Sequence, residues 1–530
     1  MSERILSISD LTITRAGLPR PELENVSLTL DAGETLLLLG ESGSGIPSLM
    51  RAVMGAGQSG ERVSGQIQFA QSTPGVKVRH GESALRIAYL PGAYSEVLSP
   101  HASVLSQLVR ILARKLDLPR ATASEELRLT LARLEGAPPL DAFRAGTVEA
   151  MALSWGFLAL AIAQTPDLIV ADHPLPDSSP IGSRKFTAAL VAEQKRLGFA
   201  LLYSARRTLV TTWLEGRIAI LRNGRIVEEG TVGRLSSAQA HAYTQQLYKS
   251  LPMVTPQVPL PRRGSRGEPV LQVRGLELSP PQKNVYRARE TVTFDLRRGA
   301  SLAWLGEENS GRNELLRMVL GQQEPAGGRV IFDSVDVGIL SQAMTARLRR
   351  RVVFIAGDDN VLDPRMNVRD TVEEPLRAHL NLSRDLVAGH CEAALKRVGL
   401  ASLAPERAVA ALSRFDKRRL QVARAIVTVP LLAVIDEPQR GLGPLESAVM
   451  LDLLRELRAQ EGPAFLLLTA NFALALALAD EAMVFKDRSI VERGPVGEML
   501  KAPKDDYTKA LIAAITPVLP SGLPKAQSQG

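Results

Sequence analysis

Four short segments of the chain are apolar at nearly every position. Written with their last residues, they are LIVAD to Asp172, ALLYS to Ser204, LAVID to Asp436 and FLLLT to Thr469. Continuous apolar runs of this length are typical of parallel strands that are covered on both faces. Residues 104–136 and 369–399 instead carry Leu, Val and Ala at helical spacing, with charged residues between them. The pattern predicts an α/β fold in which each mainly parallel sheet carries a helical insert.

The same pattern occurs twice along the chain. Gly40-Glu-Ser-Gly-Ser-Gly45 follows one apolar strand, and Gly306-Glu-Glu-Asn-Ser-Gly311 follows another strand 266 residues later. The aspartates that end LIVAD and LAVID are 264 residues apart, and so are the glycines that end VEEG and VERG. Three pairs in register indicate an internal duplication, whose halves we call copy 1 and copy 2.

The duplication sets the predicted domain boundaries. We assign domain 1 to residues 1–248 and domain 2 to residues 270–515. Residues 249–269 contain several prolines without helical or strand periodicity, which is typical of an extended linker. Residues 516–530 are rich in Pro, Ser, Gly and Gln, and they are predicted to form a flexible tail.

A glycine-rich loop between a strand and a helix is suited to phosphate, because backbone N–H groups and the positive end of the helix face the anion. The P-loop pattern continues with Lys and then Ser or Thr, which reach the outer phosphates and Mg²⁺. Copy 1 has Ile46 and Pro47 at these positions, whereas copy 2 has Arg312 and Asn313. Arg312 keeps the positive charge, and Asn313 offers a carbonyl oxygen to the metal. The residues predicted to bind nucleotide are Gly40, Ser42, Gly43, Ser44 and Gly45 in copy 1, and Gly306, Ser310, Gly311, Arg312 and Asn313 in copy 2.

An acidic residue at the end of a buried strand strengthens the prediction of a phosphate site. In copy 2, Asp436 is predicted to hold Mg²⁺ together with Asn313, and Glu437 is the candidate catalytic residue that orients the attacking water. Copy 1 has Asp172 followed by His173. We interpret His173 as a passive replacement of the glutamate, with a general base as the alternative.

These motifs together resemble tandem nucleotide-binding domains of ATP-binding-cassette (ABC) proteins, over about residues 5–515. His241–Leu247 and Asp506–Leu511 are similar to the HPYT-x-x-L ending of oligopeptide, dipeptide and nickel importer ATPases. Leu362–Val368 is similar to the LNPRMTV segment of that branch. The resemblance implies two P-loop NTPase folds, ATP and Mg²⁺ as cofactors mainly in domain 2, membrane permeases as partners, and a cytoplasmic place on the inner face of the membrane.

Most chemical residues of that family are replaced here. Its LSGGQ signature aligns with VEAMA from Val148 in copy 1 and with LSRFD in copy 2, where Ser413 keeps the signature serine and is predicted to contact nucleotide. The aligned positions of the Q-loop glutamine and the switch histidine carry other residues, namely Gly92, Ala356 or Gly357, Ala205 and Ala470. We therefore expect a pseudo-ATPase, or at most one weak site in copy 2, with normal turnover as the alternative.

A retained fold with replaced chemistry leaves two functions open. The first is the ABC subunit of a peptide-type transporter that docks on membrane permeases, with impaired or absent ATP hydrolysis. The alternative is a non-hydrolysing scaffold or regulatory subunit of a soluble enzyme complex, similar to the carbon–phosphorus lyase machinery. The sequence also leaves open whether the two copies pair with each other or with another ABC chain.

Composition narrows the remaining classes. The chain has 64 basic and 56 acidic residues, a mild net charge of +8, so no nucleic-acid partner is expected. Cys391 is the single cysteine, which excludes a disulfide framework and the cysteine-ligated iron–sulfur cluster that the resemblance would otherwise suggest. No run approaches the roughly 18 apolar residues of a membrane helix, and the first residues lack the apolar core of a signal peptide.

Overall fold

The structure is a computed structural model, and it describes residues 3–517 with gaps. The gaps are 19, 71–84, 93, 142, 146–147, 177–178, 251–267, 278–290, 309, 340–349, 359–360, 380–381 and 460–461. Within the described residues, one compact unit spans residues 3–250 and the other spans residues 268–442 and 446–516. Most of the predicted linker, 251–267, and most of the predicted tail, 518–530, lie outside the described residues.

The first unit contains an antiparallel sheet, a mainly parallel sheet and helices between their strands. The strands are β1 (Arg4–Arg15), β2 (Leu23–Asp31), β3 (Thr35–Leu39), β4 (Glu61–Phe69), β5 (Ile87–Leu90), β6 (Leu168–Asp172), β7 (Ala200–Ala205), β8 (Arg217–Arg222) and β9 (Arg225–Gly230). The helices are α1 (Ile46–Val53), α2 (Tyr94–Val97), α3 (Val104–Leu116), α4 (Arg120–Arg133), α5 (Ala150–Ala163), α6 (Pro180–Leu197), α7 (Val232–Leu235) and α8 (Ala242–Lys249). Helices α2 to α5 lie between β5 and β6 and form the predicted helical insert.

The second unit repeats this order. Its strands are β10 (Pro269–Glu277), β11 (Thr291–Arg297), β12 (Ser301–Leu305), β13 (Arg329–Phe332), β14 (Val335–Asp336), β15 (Val352–Ala356), β16 (Leu432–Asp436), β17 (Ala464–Thr469), β18 (Glu481–Lys486) and β19 (Ser489–Pro495). Its helices are α9 (Arg312–Val319), α10 (Val368–His379), α11 (Arg384–Arg397), α12 (Arg414–Ile426), α13 (Pro444–Ala459), α14 (Phe472–Leu478), α15 (Val496–Lys501) and α16 (Asp506–Ile515). The predicted α/β class is confirmed in both units.

The two large sheets have the same strand order. It is β5-β6-β7-β3-β8-β9 in the first unit and β15-β16-β17-β12-β18-β19 in the second. Every neighbouring pair is parallel except the last pair of each sheet. The central strands β3 and β12 are buried at every position, because layers of structure cover both of their faces. By contrast, β11 in the antiparallel sheet alternates buried and exposed residues, since only one of its faces meets the core.

Each unit has its own hydrophobic core between its two sheets. In the second unit, Trp304 on β12 packs edge-on against Phe294 and Phe485, with ring centroids 5.8 Å away in both cases. In the first unit, Leu36, Leu38 and Ile46 contribute to the corresponding core. Helix α5 is buried on all sides, which explains why its sequence lacks a polar face. Among the helices that the structure describes, none combines the length and hydrophobicity needed to span a bilayer.

Candidate functional site

Both predicted phosphate loops lie between the central strand of a large sheet and a helix. In copy 1 the loop joins β3 to α1, and in copy 2 it joins β12 to α9. Gly45 and Gly311 end the loops with φ angles of 93° and 99°, a left-handed conformation that favours glycine. A Cβ atom at Gly45 would also collide with the backbone oxygen of Glu22, and one at Gly311 would collide with Arg488. The glycines are therefore required by the backbone path that turns each strand into its helix.

In copy 2, Arg312 is turned inward and paired with Glu437. The Arg312 side chain is 2% exposed and that of Glu437 is 9% exposed, and the guanidinium Nη2 lies 3.3 Å from Glu437 Oε1. Glu437 Oε2 accepts a hydrogen bond from the Thr469 hydroxyl at 2.9 Å, and Oε1 accepts one from the Ala470 N–H at 2.7 Å. Both oxygens of the candidate catalytic carboxylate are therefore occupied by protein donors.

The Asp436 carboxyl lies beside this pair at the end of β16. Burial raises the pKa of Asp436, the nearby Arg312 lowers it, and the Glu437 charge raises it. Asn313 is exposed on the first turn of α9. The described residues contain no group of three or more His, Cys, Asp or Glu side chains that would hold a metal by themselves. Asp436 and Asn313 suit Mg²⁺ in the way that phosphate sites use it, with few protein ligands and the remaining ligands from phosphate and water.

Several polar atoms of the copy 2 loop are buried without a hydrogen-bond partner. They are the Ser310 hydroxyl and the Nε and Nη1 atoms of Arg312. A buried donor without a partner is costly, because it has lost its hydrogen bonds to water. Phosphate oxygens would satisfy such donors at this loop, so the residues of copy 2 fit a phosphate group.

Copy 1 has an uncharged version of the same arrangement. Ile46, at the position of Arg312, is buried. Ser204 donates its hydroxyl proton to Asp172 Oδ1 at 2.9 Å and accepts the His173 N–H at 2.9 Å. Burial lowers the pKa of His173 to about 3, and the positive charge of Arg206 lowers it further. The imidazole is therefore neutral at pH 7, and neither Ile46 nor His173 brings a charge to this site.

The structure also explains the replaced family positions. Ser413 is the N-cap of α12, and its hydroxyl bonds both the N–H and the carboxylate of Asp416. Ala205 and Ala470 are buried at the ends of β7 and within the turn after β17. A side chain at Gly92 would collide with the backbone oxygen of Asp172, and one at Gly357 with that of Glu437. The main chain therefore leaves no room for a glutamine at Gly92 or Gly357.

Sequence reasoning missed three hydroxyl groups of the site. Thr469 and Ser204 end equivalent strands and bond the groups that follow the strand aspartates. Tyr507, in the first turn of α16, accepts the backbone N–H of Glu307 in the copy 2 loop at 3.0 Å. The repeat offset places Ser204 and Thr469 in equivalent positions and was the one signal available for them. Nothing local marked Tyr507, because 200 residues separate it from the loop.

Comparison with known proteins agrees with this arrangement. The family described as "ABC transporter" matches residues 23–176 and 290–440, and "Oligopeptide/dipeptide transporter, C-terminal region" matches residues 227–274. An uncharacterized ABC transporter ATP-binding protein YejF of Escherichia coli K12 is 28% identical, over 97% of this chain and 100% of its own. The peptidoglycan transport ATP-binding protein YejF of Agrobacterium fabrum is 27% identical, over 97% and 96%. The glutathione import ATP-binding protein GsiA of Salmonella typhi is 27% identical, over 98% and 91%.

The two matches to one family model fall on the two copies of the repeat, and they contain both glycine loops and both strand aspartates. Together they cover more than half of the chain. The chain belongs to the ABC transporter family, with two ABC domains in tandem and an oligopeptide/dipeptide-type C-terminal region.

Proposed function

We propose that this protein is the ATP-binding-cassette subunit of a peptide-type importer, that it docks on membrane permeases at the cytoplasmic face, and that it hydrolyses ATP weakly or not at all. The importer part rests on the family match and on the relatives that act in peptidoglycan and glutathione transport. The transported solute is accordingly a peptide or a peptide-like compound. Nucleotide and Mg²⁺ bind mainly in domain 2.

The loss of hydrolysis is carried by one observation, the buried pair of Arg312 and Glu437. A carboxylate orients an attacking water only when one of its oxygens is available to that water. Here the guanidinium, a hydroxyl and a backbone N–H surround both oxygens of Glu437. Glu437 therefore acts as the counter-ion of Arg312 and not as a base.

The same pair keeps a role for nucleotide in domain 2. Arg312 Nε and Nη1 and the Ser310 hydroxyl are buried donors without partners, and phosphate oxygens supply acceptors for them. Copy 1 offers no such cation, because Ile46 is apolar and His173 is neutral. We therefore expect binding without turnover in domain 2, and weaker binding or none in domain 1.

A steady-state ATPase assay on the purified chain tests the proposal, with Glu437→Gln as the variant. We expect a wild-type rate near the background without enzyme, and no further fall in the variant, because Glu437 does not activate water. Robust turnover that Glu437→Gln abolishes would show that the glutamate is catalytic and would refute the proposal.

Binding is tested separately by thermal unfolding with ATP and Mg²⁺. We expect the nucleotide to raise the unfolding midpoint of the wild type, and this rise to disappear in Arg312→Met combined with Glu437→Gln, which removes both buried charges together. Ile46→Val at the equivalent position of copy 1 is the control, and it should leave the rise unchanged. A wild-type chain without a nucleotide-dependent rise would contradict nucleotide binding.

A further inference from the structure

A second cavity lies in the second unit, at the opposite end of the sheet from the glycine loop. Its volume is about 130 Å³. Val353, Ala433 and Phe465 form its floor, and they are register partners on the adjacent strands β15, β16 and β17. These positions are near the starts of their strands, whereas Asp436 ends β16 at the nucleotide edge. The cavity is therefore separate from the site described above.

The lining of this cavity is apolar with a positively charged rim. Ala425 and Ile426 at the end of α12 and Leu457 on α13 add apolar walls. Arg298 and Arg397 are exposed residues that also line it. Among the described lining residues there are two guanidinium groups and no carboxylate. An anionic group with an apolar body is complementary to such a lining.

The first unit fills the equivalent place with its own side chains. At an offset of 264 residues, Ile169 corresponds to Ala433, and Glu193 corresponds to Leu457. Ile169 is fully buried, and Glu193 is 6% exposed. The Glu193 carboxylate accepts hydrogen bonds from Arg133 Nε at 3.3 Å and from Arg196 Nε at 3.0 Å. Arg133 corresponds to Arg397, so copy 2 keeps this arginine while the carboxylate and the large side chain are both replaced.

We propose that the cavity binds a small organic monocarboxylate with a short branched apolar body. Its carboxylate lies at Arg298 and Arg397, where copy 1 has the Glu193 carboxylate. Its apolar body occupies the space that the smaller Ala433 leaves above the sheet. An apolar cavity of about 150 Å³ holds benzene, so a cavity of this size suits a body of about six heavy atoms. The occupant supplies from solution what copy 1 supplies from its own chain.

Thermal unfolding of the full chain with 4-methylpentanoate tests the proposal. We expect the unfolding midpoint to rise by about 3 °C at a tenfold excess over the dissociation constant. The alcohol 4-methylpentan-1-ol has the same branched body without the charge, and it should give a clearly smaller rise. No rise with the carboxylate, or an equal rise with the alcohol, would overturn the assignment.

Three variants locate the binding site. Leu457→Glu and Ala433→Ile each introduce the residue of copy 1, and we expect both to abolish the response. Arg298→Gln changes an exposed side chain, and we expect it to weaken binding about tenfold, since it removes one charge-assisted contact. Arg329→Gln, also exposed but outside the cavity, is the control and should bind as the wild type does.

The outcome does not depend on any one variant. If Leu457→Glu fails to fold, Arg298→Gln and Ala433→Ile still decide. A response that persists in both of these variants places the carboxylate elsewhere and refutes the proposal.

Discussion

At the scale of single residues, two buried positions change their chemistry together between the copies. Copy 2 has the ion pair of Arg312 and Glu437, and copy 1 has Ile46 and His173 at the same places. Burying one charge alone is expensive, because its lost hydration is not compensated. An apolar pair and an ion pair are therefore both compatible with this interior, whereas a single charge is not.

Exchanging the pair tests this reasoning. We expect Arg312→Ile and Glu437→His alone each to destabilise the second unit by about 3–5 kcal/mol, because each leaves a buried charge without its counter-ion. The double variant, which has the residues of copy 1, should lose clearly less than the sum of the two. Hydrogen exchange of the amides in β16 and β17 reports this stability. Additive losses would show that the two side chains do not act as a pair.

His173 gives copy 1 a dependence on pH. Its side chain is 15% exposed, and burial lowers its pKa from 6.5 to about 3. Between pH 6.5 and 3, the unfolded chain binds a proton that the folded protein does not bind. The stability contributed by neutral His173 is complete above pH 6.5, and it decreases as the pH falls toward 3.

We expect His173→Gln to reduce this dependence. The slope of the unfolding free energy of the first unit against pH should fall by up to about 1.4 kcal/mol per pH unit in this window. Denaturant unfolding at several pH values between 4 and 6.5 measures the slope. The exposed His101 serves as the control through His101→Gln, which should leave the slope as in the wild type. Equal slopes in wild type and His173→Gln would contradict a buried neutral imidazole.

At the scale of elements, the last helix of copy 2 supports its glycine loop. Asp505 caps α16 by accepting the Tyr507 N–H at 2.8 Å. Burial raises the pKa of Tyr507 to about 12, so the hydroxyl stays neutral while it accepts the Glu307 N–H. Lys486 lies 5.7 Å above the Tyr507 ring, as Arg222 lies above the ring of Tyr243 in copy 1. This tyrosine and its cation are therefore one element of the repeat.

Removing the hydroxyl should loosen the loop. We expect Tyr507→Phe to speed exchange of the Glu307 amide by about fivefold, which corresponds to the loss of one hydrogen bond of about 1 kcal/mol. Hydrogen exchange resolved to this amide measures the effect. Tyr243→Phe is the matched control in copy 1 and should not alter exchange at Glu307. Unchanged exchange in Tyr507→Phe would mean that another group protects the amide.

At the scale of the whole molecule, two copies of one fold have different chemistry at the same positions. The sheets have the same strand order, and both glycine loops have the same backbone turn. Their side chains differ at the glycine loop, at the residue after the strand aspartate, and at the cavity of copy 2. Backbone geometry tolerates such replacements as long as buried charges stay paired and buried volume stays filled.

Copurification tests the proposed partners. We expect the full chain, tagged and isolated with mild detergent from its own host, to retain proteins with several membrane-spanning helices. A carbonate wash of the membranes beforehand should remove the chain, since peripheral subunits are held by surface contacts. Soluble enzymes alone in the eluate would instead support a scaffold of a soluble complex.

The fold and its duplication could be predicted from sequence because they are written in local patterns. Apolar runs such as Leu168–Asp172 report burial on both faces, and the glycines of the loops report the backbone turn. The partner of Glu437 could not be predicted in this way. Arg312 is 125 residues away, and the two meet only because β12 and β16 belong to one sheet.

The sequence by itself determined that this protein is a tandem α/β ABC chain with altered phosphate sites, since periodicity, spacing and residue identity carry that information. Tertiary structure alone decided that Arg312 turns inward to Glu437, that Tyr507 holds the copy 2 loop, and that Ala433 lies beneath a cavity with two arginines at its rim. The physical reason is that pairing and cavity volume depend on side chains far apart in sequence, which only the packed sheet and helices bring together.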